Sequence, residues 1–68
     1  MYNKDNVILL VNKVKNKAVT RNQLVTAQVL NKVQAEVRNL DTRTYQAKIY
    51  LSNVVPKIHS LDRELNYL

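Results

Sequence analysis

The sequence predicts an all-α protein, a small bundle of three helices, or four if the one proline divides the last helix. Glycine is absent, so the tight turns of sandwiches, barrels and hairpins have only asparagine and aspartate to adopt positive φ. Apolar residues recur at helical spacing over most of the chain. Polar residues suited to helix starts precede the apolar runs. With 68 residues, the chain forms a single domain, residues 1–68.

The first helix is predicted from about Asn3 to Lys17. Asn3 or Asp5 can cap its unpaired N–H groups, and an acid there suits the positive end of the helix dipole. The run Val7–Val11 also has the composition of a short strand. A helix is favoured because the apolar residues continue at helical spacing: Val7, Leu10, Val11, Val14 and Ala18.

The second helix is predicted from about Thr20 to Asn39. Thr20 and Gln23 match a capping box, in which each side chain bonds the backbone N–H of the other residue. Residues 39–42 then supply turn and capping side chains, so a third helix is expected from about residue 42 to 55. Pro56 either kinks that helix or opens a fourth one at about residues 57–67.

A heptad pattern runs through the second half of the chain, with steps of three and four from Leu30 to Leu68. Every position of this seam except Thr44 is apolar, which indicates coiled-coil-like packing. A first helix of about four turns is too short to cover the whole seam, so we expect oligomerisation to complete it. Tyr50 flanks the seam. The predicted interface residues are Leu30, Val33, Val37, Leu40, Ala47, Tyr50, Leu51, Val54, Ile58, Leu61, Leu65 and Leu68.

An alternative pattern has period two. Residues 33–37 and 45–51 alternate apolar and polar side chains around the possible turn at 39–43, as a β-hairpin would. The heptad accounts for more apolar positions over a longer span, and the turn lacks glycine. The helical interpretation is therefore preferred.

Residue types exclude several functions. There is no cysteine and one histidine, His59, so neither a thiolate metal site nor a paired-histidine zinc site is expected. Without glycine there is no phosphate-binding loop, and Ser52, His59 and Asp62 have the spacing of neighbours on one helix. We expect no enzyme, no cofactor, no small-molecule substrate, no membrane span and a cytoplasmic location.

Charge supplies the functional hypothesis. The net charge is +6, and residues 1–34 hold six basic side chains against one acid, Asp5. Such an excess attracts phosphate, so the first hypothesis is a regulator that self-associates through the seam and binds nucleic acid with its basic N-terminal half. The alternative is a protein-interaction module, an adaptor, inhibitor or escort whose seam packs on a partner's helices.

A helix-turn-helix arrangement is a further possibility within the first hypothesis. Residues 39–41 would form its turn, and the helix from Thr42 would present Arg43, Gln46 and Lys48 to base edges. Against it, the preceding helix is longer than a usual supporting helix. The candidate nucleic-acid-binding residues are Lys13, Lys15, Lys17, Arg21, Lys32, Arg43, Gln46 and Lys48.

Overall fold

A computed structural model describes residues 3–68, which form three helices: α1 (Lys4–Thr20), α2 (Leu24–Arg38) and α3 (Tyr45–Asn66). The all-α prediction is confirmed. The hairpin alternative is wrong, because residues 33–51 lie in α2, a loop and α3, and no strand occurs within residues 3–68. No helix in this range has the length and apolar content needed to cross a membrane.

The start of α1 follows the sequence prediction. The Asn3 side chain accepts hydrogen bonds from the backbone N–H groups of Asp5, at 2.8 Å, and Asn6, at 3.4 Å. Asp5 lies in the first turn, where its charge favours the helix dipole. The end differs, because the helix continues beyond Lys17 to Thr20 and buries Ala18 completely.

The predicted capping box at Thr20 is wrong. Thr20 is the last residue of α1, and its hydroxyl donates to the carbonyl of Asn16 at 2.9 Å. A threonine hydroxyl can either cap a following helix or bond back to a carbonyl of the preceding one. Here the backward bond is formed, because extending α1 to Thr20 buries Ala18. The chain turns at Asn22, at φ +60°, a conformation that asparagine tolerates. α2 then begins at Leu24 without a side-chain cap.

The predicted break between the second and third helices is confirmed, with α3 starting three residues later than expected. Residues 39–44 connect the two helices. Thr44, rather than Thr42, caps α3 by accepting a hydrogen bond from the N–H of Ala47 at 3.2 Å. The Asp41 side chain accepts from the N–H of Arg43 at 3.1 Å, which fixes the turn before the cap.

The third helix runs unbroken through Pro56, so the prediction of a fourth helix at residues 57–67 is wrong. Pro56 lies on the exposed side of α3. Because proline has no N–H, the backbone hydrogen bond to the carbonyl of Ser52 is missing. Ser52 is also exposed, so water can bond that carbonyl instead. The apolar seam on the opposite side passes the proline without interruption.

α1 is the helix that joins the fold, because it packs closely on both others, whereas the backbones of α2 and α3 approach each other at few points. Its start bonds the connection that follows α2, from Lys4 Nζ to the Leu40 carbonyl at 3.0 Å. Its end bonds the end of α3, so α1 runs antiparallel to α2 and parallel to α3. Helical spacing puts its fully or nearly fully buried residues on one stripe: Val7, Val11, Val14 and Ala18.

The heptad seam lies largely inside this single chain. Leu30, Val37, Ala47, Leu51, Ile58 and Leu65 are buried. Val33, Leu40, Tyr50, Val54 and Leu61 are half-buried and pack against the core, while Leu68 and Thr44 are exposed. On α2 the buried stripe includes Gln34 in place of the predicted Val33. A second chain is therefore not required to cover the seam.

Replacing Pro56 with alanine should stabilise the fold, since alanine restores the helical donor at an exposed site. We expect the free energy of unfolding in urea, followed by circular dichroism, to rise by about 1–3 kcal/mol. Ser60→Ala, also exposed on α3, is the control and should change it by less than about 0.5 kcal/mol. A Pro56→Ala variant no more stable than the wild type would contradict this account of α3.

Candidate functional site

Three of the predicted phosphate-binding side chains in the N-terminal half form hydrogen bonds within the protein. Lys15 Nζ donates to Asn31 Oδ1 at 3.4 Å and to Gln34 Oε1 at 3.2 Å. Gln34 is 6% exposed, so the lysine supplies a donor to a polar group buried between α1 and α2. Arg21 Nη1 donates to the carbonyl of Leu68 at 2.9 Å.

Lys17 is the third, and it holds α1 against α3. Its Nζ pairs with the Asp62 carboxylate and donates to Asn66 Oδ1 at 2.9 Å. The hydrogen bond from Lys17 lowers the pKa of Asp62 below its usual value, and the charges of Lys17, Lys13 and His59 lower it further. Asp62 is therefore a carboxylate surrounded by basic side chains.

We call the surface around this pair the α1–α3 groove. On α3, steps of three and four put Lys48, Ser52, His59, Asp62 and Asn66 on the flank that faces α1, with Arg63 beside His59. On α1, Asn6, Lys13 and Lys17 share the facing flank. Lys13, Lys48 and Arg63 are exposed, and Asp62 is the one acid among these groove residues.

An open cavity of about 900 Å³ extends the groove at the start of α1 and α3. The N-termini of both helices point to this end, which carries the positive ends of two helix dipoles. Lys48 joins the cavity to the groove. The lining residues are Asn3, Lys4, Asp5, Thr42, Ala47, Lys48, Leu51 and Ser52.

The remaining predicted residues are scattered. Arg43 pairs with Asp41 in the loop, at 3.1 Å from Nε, and this contact lowers the pKa of Asp41. Gln46 is exposed on α3, and Lys32 is exposed on the outer side of α2. α2 and α3 are joined by six residues, 39–44, and pack mainly on α1, which differs from the short turn and closely packed pair of a helix-turn-helix. The structure thus brings together Lys13, Lys17 and Lys48 but not the full predicted set.

A second surface, which we call the α2–α3 cleft, consists of the flanks of α2 and α3 on either side of the contact between Glu36 and Tyr50. Tyr50 donates its hydroxyl hydrogen to Glu36 Oε2 at 2.8 Å and closes one end. Helical spacing from Glu36 puts Val33, Val29 and Val25 on the same flank of α2. The same spacing from Tyr50 puts Val54, Lys57, Leu61 and Glu64 on the facing flank of α3.

The cleft is largely apolar and holds no basic excess. Val25 and Val29 are 76% and 50% exposed, and Leu61 lies in an apolar depression with Pro56, Lys57 and Ser60. The charged side chains of the cleft are Lys57, Glu36 and Glu64, since Lys32 lies on the outer side of α2. The basic excess of the chain therefore lies outside the cleft.

Sequence reasoning named four residues of the cleft as interface residues, Val33, Tyr50, Val54 and Leu61, and missed Val25 and Val29. It also missed His59 and Arg63 as groove residues. The valines at positions 25, 29 and 33 recur every four residues, which is a visible helical stripe that starts from a seam residue.

Comparisons with protein-family models, with curated proteins and with solved structures gave no match. No group of three or more metal-binding side chains occurs among the described residues. The α1–α3 groove and the α2–α3 cleft are therefore the two candidate binding surfaces of the described residues.

The Tyr50–Glu36 contact makes the free energy of unfolding depend on pH in the alkaline range. Burial, and then the hydrogen bond to Glu36, raise the pKa of Tyr50 from 10.0 to about 12. The unfolded chain releases this proton near pH 10 while the folded chain keeps it. The contribution of Tyr50 to stability is therefore full below pH 10 and is lost as pH rises through about 12.

The measurement is the free energy of unfolding of the wild type minus that of Tyr50→Phe. This difference should fall between pH 10 and about pH 12. Tyr45→Phe, at an exposed site, is the control; a difference that stays constant for Tyr50→Phe would contradict the contact.

Proposed function

We propose that this chain is a non-catalytic, cytoplasmic protein that binds nucleic acid, with the α1–α3 groove on the phosphate backbone. The observation that carries the proposal is the arrangement of exposed cations. Lys13, Lys48 and Arg63 flank a groove whose acid, Asp62, is already neutralised by Lys17. Cations exposed beside a neutralised acid are available to phosphates.

The length of the groove suits several phosphates. Lys48 and Arg63 are fifteen residues apart on one helix, a separation of about 22 Å along its axis. Duplex phosphates on one strand recur every ~3.4 Å along the helix axis, so these cations reach different phosphates of one backbone. The exposed groove side chains are point charges and amides, which favours binding that does not depend on sequence.

This assignment revises the role of the basic N-terminal half. Lys15, Lys17 and Arg21 would have to give up tertiary hydrogen bonds to reach a phosphate. The exposed cations come from both halves of the chain, with Lys13 from α1 and Lys48 and Arg63 from α3. In this proposal Lys17 positions the two helices and keeps the groove positive.

Replacing Lys13, Lys48 and Arg63 together with glutamine should weaken binding to a DNA duplex. We expect the slope of log affinity against log salt to decrease by about 0.9 for each phosphate that the variant no longer neutralises. Titration of a labelled duplex at several salt concentrations measures both quantities, and circular dichroism confirms that the exposed substitutions leave the fold intact.

The matched control replaces Lys32, Arg38 and Lys57, which are exposed outside the groove, with glutamine. It removes the same charge and should change the slope much less. Equal effects of the two triple variants would show that net charge alone drives binding and would refute the groove. A wild type that binds no nucleic acid at low salt would refute the proposed function.

A charge change of opposite sign tests the same surface. Asp62→Asn removes the acid of the groove and releases Lys17, so duplex affinity should rise and the salt slope should steepen by up to about one phosphate. Glu64→Gln makes the same charge change on the cleft side of α3 and is the control. Weaker binding by Asp62→Asn, with its fold intact, would contradict the proposal.

The second candidate is a protein-interaction module, and the apolar α2–α3 cleft favours it. An amphipathic helix of a partner would bury Val25 and Val29 in the way that grooves of helical proteins bind helices. Purification distinguishes the two functions. Nucleic acid that co-purifies and is removed by high salt supports the first, whereas a tightly bound protein that Val29→Glu releases supports the second.

A further inference from the structure

Two exposed tyrosines lie at the two ends of the α1–α3 groove. Tyr45 is 76% exposed as the first residue of α3, and Tyr67 is 89% exposed as the residue that caps its end. Tyr50, by contrast, is half-buried and donates its hydroxyl hydrogen to Glu36. The fold covers little of Tyr45 or Tyr67, so both rings are accessible to a ligand that lies in the groove.

Helical spacing puts each exposed tyrosine beside a groove cation. Tyr45 precedes Lys48 by three residues and Tyr67 follows Arg63 by four, so each ring lies about one turn from a charged side chain on the same side of α3. The two tyrosines are twenty-two residues apart, a separation of about 33 Å along the helix axis. A ring, two cations and a second ring therefore follow one another along the edge of the groove.

Exposed rings beside cations match a single strand better than a duplex. Proteins that bind single strands combine a positively charged groove with aromatic side chains on which unpaired bases stack. The bases of a duplex already stack on one another, so a tyrosine beside its phosphate backbone has no base face to contact. We propose that the groove binds single-stranded nucleic acid and that Tyr45 and Tyr67 stack on its unpaired bases. The inference rests on the proposed function and names the class of nucleic acid.

The cavity at the start of the groove favours a single strand for a second reason. It is open, with a volume of about 900 Å³, and Ala47 and Leu51 form apolar lining beside the polar side chains of Thr42 and Ser52. An unpaired base can be splayed out of its strand, packed by its face and hydrogen-bonded at its edges. The base pairs of an intact duplex cannot enter such a cavity.

Matched single-stranded and duplex probes test the inference. The probes are a labelled DNA strand of about 16 nucleotides, the upper site size of small single-strand-binding domains, and the same strand annealed to its complement. The wild type should bind the single strand at least about fivefold more tightly at equal salt, which corresponds to one stacked base. Tyr45→Ala and Tyr67→Ala should each lose about fivefold or more of single-strand affinity and keep their duplex affinity. Their salt slopes should not change, because tyrosine carries no charge.

Controls separate the ring from other properties of the side chain. Tyr45→Phe and Tyr67→Phe keep the rings and should bind the single strand as the wild type does. Leu24→Ala removes a 57% exposed apolar side chain from α2, outside the groove, and should have no effect. The chain has no tryptophan, so its intrinsic fluorescence comes from tyrosine. The single strand should quench this fluorescence in the wild type and much less in the variant that carries both alanines.

The outcomes distinguish this inference from the function on which it rests. A wild type that binds the duplex as tightly as the single strand would overturn the inference and leave phosphate binding by the groove intact. Alanine variants that keep their single-strand affinity, or that weaken both probes equally, would have the same consequence. Loss of affinity in the phenylalanine variants or in Leu24→Ala would also overturn it. A wild type that binds neither probe at low salt would overturn both the inference and the proposed function.

Discussion

The fold depends on α1 as the packing partner of both other helices. α2 and α3 pack mainly on the buried stripe of Val7, Val11, Val14 and Ala18, and less on each other. Most of the polar contacts between helices also involve α1. Lys4 bonds the connection after α2, Lys15 bonds α2, and Lys17 bonds α3, while Tyr50–Glu36 joins α3 to α2 directly. Loss of one buried side chain from α1 therefore weakens two interfaces at once, which makes folding of the three helices cooperative.

The same arrangement creates the two surfaces. On one side, the parallel contact of α1 and α3 collects basic side chains from distant parts of the sequence around the Lys17–Asp62 pair. On the other side, the flanks of α2 and α3 beside the Tyr50–Glu36 contact are largely apolar and carry no basic excess. A nucleic acid bound in the groove would leave the cleft accessible.

Local signals in the sequence predicted the features that local chemistry determines. The Asn3 cap, the break near residues 39–41 and most of the buried seam follow from side-chain preference and period. Thr20 failed as a cap because burial of Ala18 extends α1, and Pro56 failed as a break because its missing donor faces solvent. The roles of Lys15 and Lys17 depend on partners sixteen to forty-nine positions away, which charge and spacing along the chain do not reveal.

The separation of charge between the two faces also gives the molecule a direction. A body whose basic side chains outnumber its acids in the groove but not in the cleft carries a dipole moment, so the field of a polyanion exerts a torque on it before contact. Approaching molecules would rotate to present the groove first, and rotation of this kind raises the fraction of collisions that are productive. Dissolved salt shortens the distance over which the torque acts, to ~10 Å at 0.1 M ionic strength. The rate of encounter, and not only its equilibrium, would then vary with salt.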